Sequence, residues 1–387
     1  MAFSFGNPAM GSVAPEAGVN TQNGPDLEDI QTEALGFLAL SGEAKVQLLP
    51  TPWPSDQLPP TNASLMSVAS KRGLVAAAGP DAVIVASTKS VRDAFEGKET
   101  GDNNLKPFQP QLKLPMPMRI SQVAFSADES FLVLSAETGG GLAVYDVQAL
   151  IGGSKQSAFE LSTKGQSLRA LIPNPTPEKG ELFAVVTSDG QLMMANLKER
   201  NFVQGPSGEV LKTGVSCISW STKGKQLVAG LGDGSVHQMK PDGTATGEIP
   251  KPPNVNSGEY VSSITWLENN VFLVIHTPTE FDNNVLPTSS YHLATRQPPS
   301  SFIFQKVSDP ASPYNGIIRQ PPHQFLLRLR DFPPNLQDVL IVASTASIDI
   351  GLFTRAKAPL AKDKPADKIT DVFTMTEMHC SRSFQHR

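Results

Sequence analysis

Six histidines, His237, His276, His292, His323, His379 and His386, are the side chains best suited to metal ligation or proton transfer near neutral pH. None is set from another histidine, cysteine or aspartate at the short spacing by which one element holds a metal. The chain has no H-E-x-x-H and no G-x-S-x-G, so neither zinc-peptidase nor nucleophile-elbow chemistry is indicated. Gly230-Leu231-Gly232-Asp233-Gly234 has the composition of a phosphate loop. A strand pattern, Ser235 to Met239, follows it, where a phosphate loop needs a helix whose free N–H groups face the anion. That run and Gly139-Gly140-Gly141 read as hairpin turns. We therefore expect no catalytic residue, no metal and no cofactor, and hence no enzyme. What remains is charge in loops. Glu259 precedes a strand, Glu280 and Asp282 fall in the insertion 277–287, and Asp331 precedes Phe332 and two prolines. These five residues are the expected partner-binding set, because an acidic rim steers a basic partner and raises association rates more than affinity.

The elements that would hold these loops recur. Aligned units begin at Ile120, Leu168, Val215 and Val261, and their matching large residues are Phe125, Ile172, Trp220 and Trp266, spaced 47, 48 and 46 residues apart. Each unit opens with an alternating strand, followed by a nearly continuous apolar run: Phe131 to Leu134, Leu182 to Val186, Val271 to Ile275. Such a run fits a strand buried on both faces. Gly140-Gly141, Asp189-Gly190 and Asp233-Gly234 follow, and read as two-residue hairpin turns with the positive φ that glycine supplies. Two less regular units flank these, one built from Leu65–Ala69, Leu74–Ala78 and Ala82–Ala86, the other from Gln324–Leu329, Val339–Ala343 and Ser347–Phe353. A repeat of this length with several strands per unit predicts an all-β, WD40-like β-propeller of about six blades plus a partial last blade, which 371–376 would open. Trp220 and Trp266 are expected in its core, and Cys217 is expected to be a buried, inert thiol.

Composition sets the limits. Apolar residues make up 39% of the chain and charged residues 18%, too apolar for wholesale disorder, and 33 prolines with 30 glycines imply many loops. Net charge is −5. Arg328 with Arg330, and Lys357, Lys362, Lys364 and Lys368, do not make the clustered basic face a nucleic acid needs, so no direct nucleic-acid binding is expected. No run of 18 apolar residues exists, so no membrane insertion is expected. Cys217 and Cys380 imply no disulfide framework, and together with the absence of a signal-peptide pattern they point to a reducing, intracellular compartment. The expected organisation is a disordered N-terminal arm at 1–28, a propeller at 29–376 with a polar insertion at 96–118 and a Lys/Ala/Pro linker at 355–368, and an unstructured, aberrant tail at 377–387. The chain stops soon after the sixth blade, which raises the expectation of a truncated product with an open ring.

VSCISWSTKGKQLVAGLGDGSVHQMKPDG (Val215 to Gly243), LFAVVTSDGQLMMANL (Leu182 to Leu197) and VLIVASTASIDIGLFTR (Val339 to Arg355) resemble the N-terminal β-propeller of the fungal cytoplasmic-face FG nucleoporins. The likeness runs over roughly 30–376 in the same blade order, and Phe3-Ser4-Phe5-Gly6 looks like the FxFG motif of nucleoporins. The resemblance implies a seven-bladed propeller at the cytoplasmic face of the nuclear pore complex, in the nuclear envelope. It also implies a docking platform for the DEAD-box ATPase of mRNA export, gripped by its N-terminal RecA-like lobe through acidic and apolar loop residues. Contacts with other nucleoporins would run through regions absent from this chain. The residues by themselves leave two other readings open: a different WD40-like scaffold, such as a ubiquitin-ligase or coat subunit, and a propeller hydrolase or lyase with acids or histidines converging at the axis.

Overall fold

The structure is a computed structural model that describes residues 19–27, 29–31, 45–96, 105–280, 289–298, 301–309, 325–332, 336–343, 351–356 and 373–377. Six sheets of four or five strands follow one another in chain order among these residues. Blade 1 comprises Met66–Ala69, Leu74–Ala78, Ala82–Ser87 and Leu112–Pro115, and blade 2 Ile120–Phe125, Phe131–Ala136, Leu142–Asp146 and Phe159–Leu161. Blade 3 is built from Leu168–Pro173, Leu182–Thr187 and Leu192–Asn196, whose outer edge is shared by Asn201–Phe202 and Val210–Lys212. Blade 4 holds Val215–Trp220, Leu227–Leu231, Val236–Met239 and Ala245–Ile249. Blade 5 holds Glu259–Glu268, Val271–Pro278, Ser290–Gln297 and Ser301–Val307, and blade 6 Phe325–Phe332, Leu336–Ala343, Gly351–Ala356 and Phe373–Glu377. The chain is a β-propeller, as its spacing predicts.

The apolar runs explain how the blades stack. In blade 3, Phe183 and Val185 join a cluster with Val133 and Val144 of blade 2, while Ala184 and Val186 join one with Trp220, Leu227 and Ala229 of blade 4. Side chains alternate across a strand, so one four-residue run serves two interfaces. All four residues are fully buried.

Polar bonds fix the blades' rotation about the axis, and they involve the residues that mark the repeat. Phe125 N donates to Ser67 Oγ of blade 1 (3.0 Å), and Trp266 N donates to Ser219 Oγ of blade 4 (3.0 Å). The Trp220 indole donates to Ile172 O of blade 3 (3.2 Å). Glu129 accepts from Lys71 N and Arg72 N across blades 1 and 2, at 2.9 and 2.7 Å. Arg296 of blade 5 lies over Phe272 and Phe302 and donates to Gln238 of blade 4 (2.5 Å). Arg355 of blade 6 pairs with Asp338 (2.6 Å) and with Glu268 of blade 5.

Several expectations need correction. The Asp-Gly turns are three-residue loops, closed in blade 3 by Gly190 N to Thr187 O and in blade 4 by Gly234 N to Leu231 O. Only the glycines have positive φ, because a tight turn followed by one left-handed residue already matches the strand twist. The arm expected at 1–28 contributes a strand, Asn20–Asn23, parallel to the outer edge of blade 5, with Gly24 N and Leu27 N continuing onto Phe304 O and Lys306 O. Asp29–Gln31 does the same for blade 6. Phe373–Glu377 is the outer strand of blade 6, so 371–376 opens no seventh blade. Thr88–Glu96 is helical, an element the repeat of strands does not anticipate, with Ser87 Oγ accepting from Ser90 N at its start. Within the 96–118 insertion, Leu105–Lys106 pairs in parallel with Lys45–Val46, and Leu112–Pro115 is the outer strand of blade 1. Residues 1–18, 344–350, 357–372 and 378–387 lie outside the described residues.

Two features of the packing carry stability predictions. Asn174 is completely buried between blades 3 and 4: its amide donates to Gly224 O (2.8 Å) and its Oδ1 accepts from Thr176 N (3.0 Å) and Thr176 Oγ1 (2.9 Å). Asn174→Ala strands buried donors and acceptors, which costs about 1–3 kcal/mol each. We expect a lower urea midpoint with an unchanged m-value.

His276 and His292 lie edge-on in blade 5 with ring centres 6.0 Å apart, and both are buried. His276 Nε2 donates to Gly234 O (2.9 Å), so its Nδ1 keeps the lone pair. Burial pushes His276 down to about 4; the Gly234 carbonyl opposes this, and His292 and Lys251 add to it. Burial also takes His292 to about 4, with Lys306 adding and Asp26 opposing. The unfolded rings titrate near 6.5. Stability is therefore complete above that pH and withdrawn as pH falls towards 4, by on the order of 2–3 kcal/mol per ring. Urea midpoints measured from pH 7.5 to 4.5 should fall steeply in the native chain and less steeply in the double variant His276→Gln, His292→Gln. Equal slopes would refute the assignment.

Candidate functional site

The two ends of a propeller differ in what they display. At one end the inner strands begin and the three-residue hairpins lie, so it is the hairpin end here. Glu259 opens the inner strand of blade 5 there, opposite Pro278, and Glu280 stands exposed two residues beyond that strand partner. Asp282 lies outside the described residues. Asp331 and Phe332 belong to the other end. They close the inner strand of blade 6, where Arg330 is opposite Asp338 and Phe332 opposite Leu336. Arg355 joins that same Asp338 to Glu268, the last residue of the ten-residue inner strand of blade 5. At 3.3 Å per residue, Asp331 and Phe332 are roughly 30 Å along the axis from Glu259. The expected binding residues therefore form two groups, not one patch.

Within the first group, Glu259 and Glu280 behave differently. Glu259 is only 7% exposed. Its Oε1 accepts from the backbone N and the side-chain amide of Asn256, both at 3.3 Å. Lys251 Nζ donates to the carbonyls of Asn256 and Glu259, which folds the 251–259 loop back onto itself. Glu259 thus caps a turn, where the sequence suggests an exposed rim charge. Glu280 remains on the surface, where a long-range field can act on a partner.

Sequence reasoning missed the polar lining of the axis. A cavity of about 460 Å³ opens where the inner strands of blades 3, 4 and 5 meet the loop before blade 1, and Thr61, Asn62, Arg169, Ser216, Tyr260 and Ser263 line it. The loop is pinned across two blades: Ser64 N donates to Ser121 O (2.8 Å) and Asn62 Nδ2 to Leu168 O (3.4 Å). A signal for this site exists in the repeat. The residue after the first apolar position of each inner strand is Ser121, Ser216 or Ser262, but in blade 3 it is Arg169. Beside the cavity, burial pushes the Cys217 thiol up to about 12, with the Ser216 hydroxyl, the Gly230 backbone and the Arg169 charge opposing. Burial likewise raises the Tyr260 phenol. A thiol so held is no nucleophile at neutral pH. Among the described residues, no group of three or more His, Cys, Asp or Glu could hold a metal. The described residues offer protein and small-ligand binding surfaces, and among them no acid–base or nucleophilic constellation is assembled.

Comparison with known proteins agrees with this. The family model of the NUP159/214 beta propeller matches residues 59–380. Nucleoporin NUP159 of Chaetomium thermophilum is 58% identical over 383 residues, 98% of this chain; the chain spans 25% of that relative's length. The N-terminal domain of Nup159 in its crystal structure superposes with a TM-score of 0.67 at 15% identity, over 93% of this chain and 86% of that one. A chain in a solved complex of S. cerevisiae Dbp5 bound to Nup159, Gle1, IP6 and ADP gives the same TM-score and identity over 95% and 87%. These two likenesses carry the fold. The family is one of nucleoporin propellers and not of enzymes. On the match over residues 59–380 and the identity along nearly the whole chain, this protein belongs to the NUP159/214 beta propeller family.

Proposed function

We propose that the chain is a docking platform on the cytoplasmic face of the nuclear pore complex, and that its ligand is the N-terminal RecA-like lobe of the DEAD-box helicase of mRNA export. The observation that carries this reading is the conjunction of 58% identity to a nucleoporin with a fold shared with a chain from a complex of Dbp5 and Nup159. A rigid stack of sheets suits the task, since a preorganised face loses little freedom on binding. An interface of ordinary size, about 1,600 Å² in total, fits on one end of such a molecule.

The separation of the candidate residues means that one compact lobe meets one group or the other. A lobe seated on the hairpin end meets Glu280, but not Asp331 and Phe332. We assign docking to the hairpin end, with Glu280 and Asp282 steering the basic surface of the lobe and Glu259 holding the loop that flanks them. Stopped-flow association of the helicase lobe tests this. Glu280→Lys with Asp282→Lys should slow association about 3–10-fold at low salt and flatten its salt dependence. Asp331→Lys with Phe332→Ala should leave the rate unchanged. The reverse pattern would move the interface to the other end. Glu259→Gln should lower the melting temperature while leaving the association rate of the folded fraction intact.

A further inference from the structure

Arg169 stands in the inner strand of blade 3 and lines the axial cavity of about 460 Å³. Among the described residues it makes no hydrogen bond and no ion pair. Three other cations of the hairpin end are engaged: Lys164 with Glu209 (2.9 Å), Arg119 with Glu137 (3.5 Å) and with the Trp53 ring, and Lys251 with two carbonyls. Among the described residues, no carboxylate lines the cavity. The hydroxyls of Thr61, Tyr260 and Ser263 line it too, and among the described residues none of them has a hydrogen-bond partner. The charge of Arg169 reaches both the Tyr260 phenol and the Cys217 thiol, and all three residues line the same cavity.

A half-buried guanidinium without a counter-charge gives up part of its hydration and gains nothing in return. An oxyanion would reverse that balance. The planar fork of Arg presents parallel N–H donors to two oxygens of one carboxylate or phosphate, and flanking hydroxyls add neutral donors. The cavity falls within the range of roughly 300–1,000 Å³ that ligand pockets occupy. Arg169, Tyr260 and Ser263 all stand on inner strands hydrogen-bonded into their sheets, so these donors are held in place before a ligand arrives.

We propose that the axial cavity is an oxyanion-binding site, with Arg169 as the charged anchor and the hydroxyls of Tyr260 and Ser263 as supporting donors. The oxyanion comes either from a free phosphate or from a carboxylate on a protein segment inserted at the axis. The site does not rest on helicase docking and is measured on this chain alone.

Isothermal titration of the full chain at constant ionic strength tests it with two probes, sodium phosphate and a blocked tetra-aspartate peptide. Binding of phosphate identifies a free oxyanion, and binding of the peptide alone identifies a carried carboxylate. Either affinity should fall at least tenfold in Arg169→Gln and several-fold in Tyr260→Phe, and stay unchanged in Arg119→Gln, whose cation lies outside the cavity. In the unmutated chain, the bound probe should protect Arg169, but not Arg200, from phenylglyoxal. That readout needs no variant to fold. Failure of both probes to bind, equal affinity in Arg169→Gln, or equal labelling of the two arginines would overturn the proposal.

Discussion

No blade of this molecule can bury both of its faces alone, and the rest of the structure follows from that constraint. A twisted four-stranded sheet has two apolar faces, and the only surfaces of matching shape available to it are its neighbours. The middle strands of blades 2 to 5 are accordingly apolar at successive positions, with odd and even residues committed to different interfaces. At about 25 cal/mol per Å² of apolar surface removed from water, this burial dominates the favourable terms. It carries little directional information, since one greasy face resembles another. Direction comes from the polar stitches: Glu129 to Lys71 and Arg72, Asn174 to Gly224, Arg296 to Gln238, and Arg355 to Glu268 and Asp338. Each is buried or half-buried, so a misaligned blade would leave it unsatisfied.

This division explains how much of the fold could be read from the chain. Phe125, Trp220 and Trp266 recur because each stands near the end of an inner strand and bonds or packs onto the preceding blade, so steric repetition becomes sequence repetition; Ile172 keeps the spacing but packs towards blade 4. The apolar runs and the glycine turns are legible for the same reason. Asn20–Asn23 is not. It is polar throughout and held mainly by backbone bonds to an edge, and backbone bonding leaves no pattern in residue type. The short helix Thr88–Glu96 carries an apolar stripe of only Val91, Ala94 and Phe95, half-buried and little more than one turn long, too brief to stand out as a helical period in the sequence.

The candidate site was legible in sign and not in place. Acidic residues in loops can be identified from sequence, but which end of the molecule a loop occupies depends on strand direction, and whether a carboxylate faces water depends on the turn around it. Glu259 illustrates the second point: its neighbour Asn256 supplies two donors, and Lys251 closes the loop from the other side. Arg169 illustrates the reverse. It looks like one more surface cation until the strands of blades 3, 4 and 5 are brought to a common axis.

The pairing of Asn20–Asn23 with Ser301–Val307 has a consequence for synthesis. Gln305 reaches back to Pro25 across 280 residues of chain. At about 5–20 residues per second, the leading segment leaves the ribosome roughly 15–55 s before its edge exists. Four blades can close during that wait while the segment stays unpaired in solvent. Its Asn-Thr-Gln-Asn run offers a premature strand partner no apolar side chain to bury, which leaves only backbone bonds to hold such a pairing.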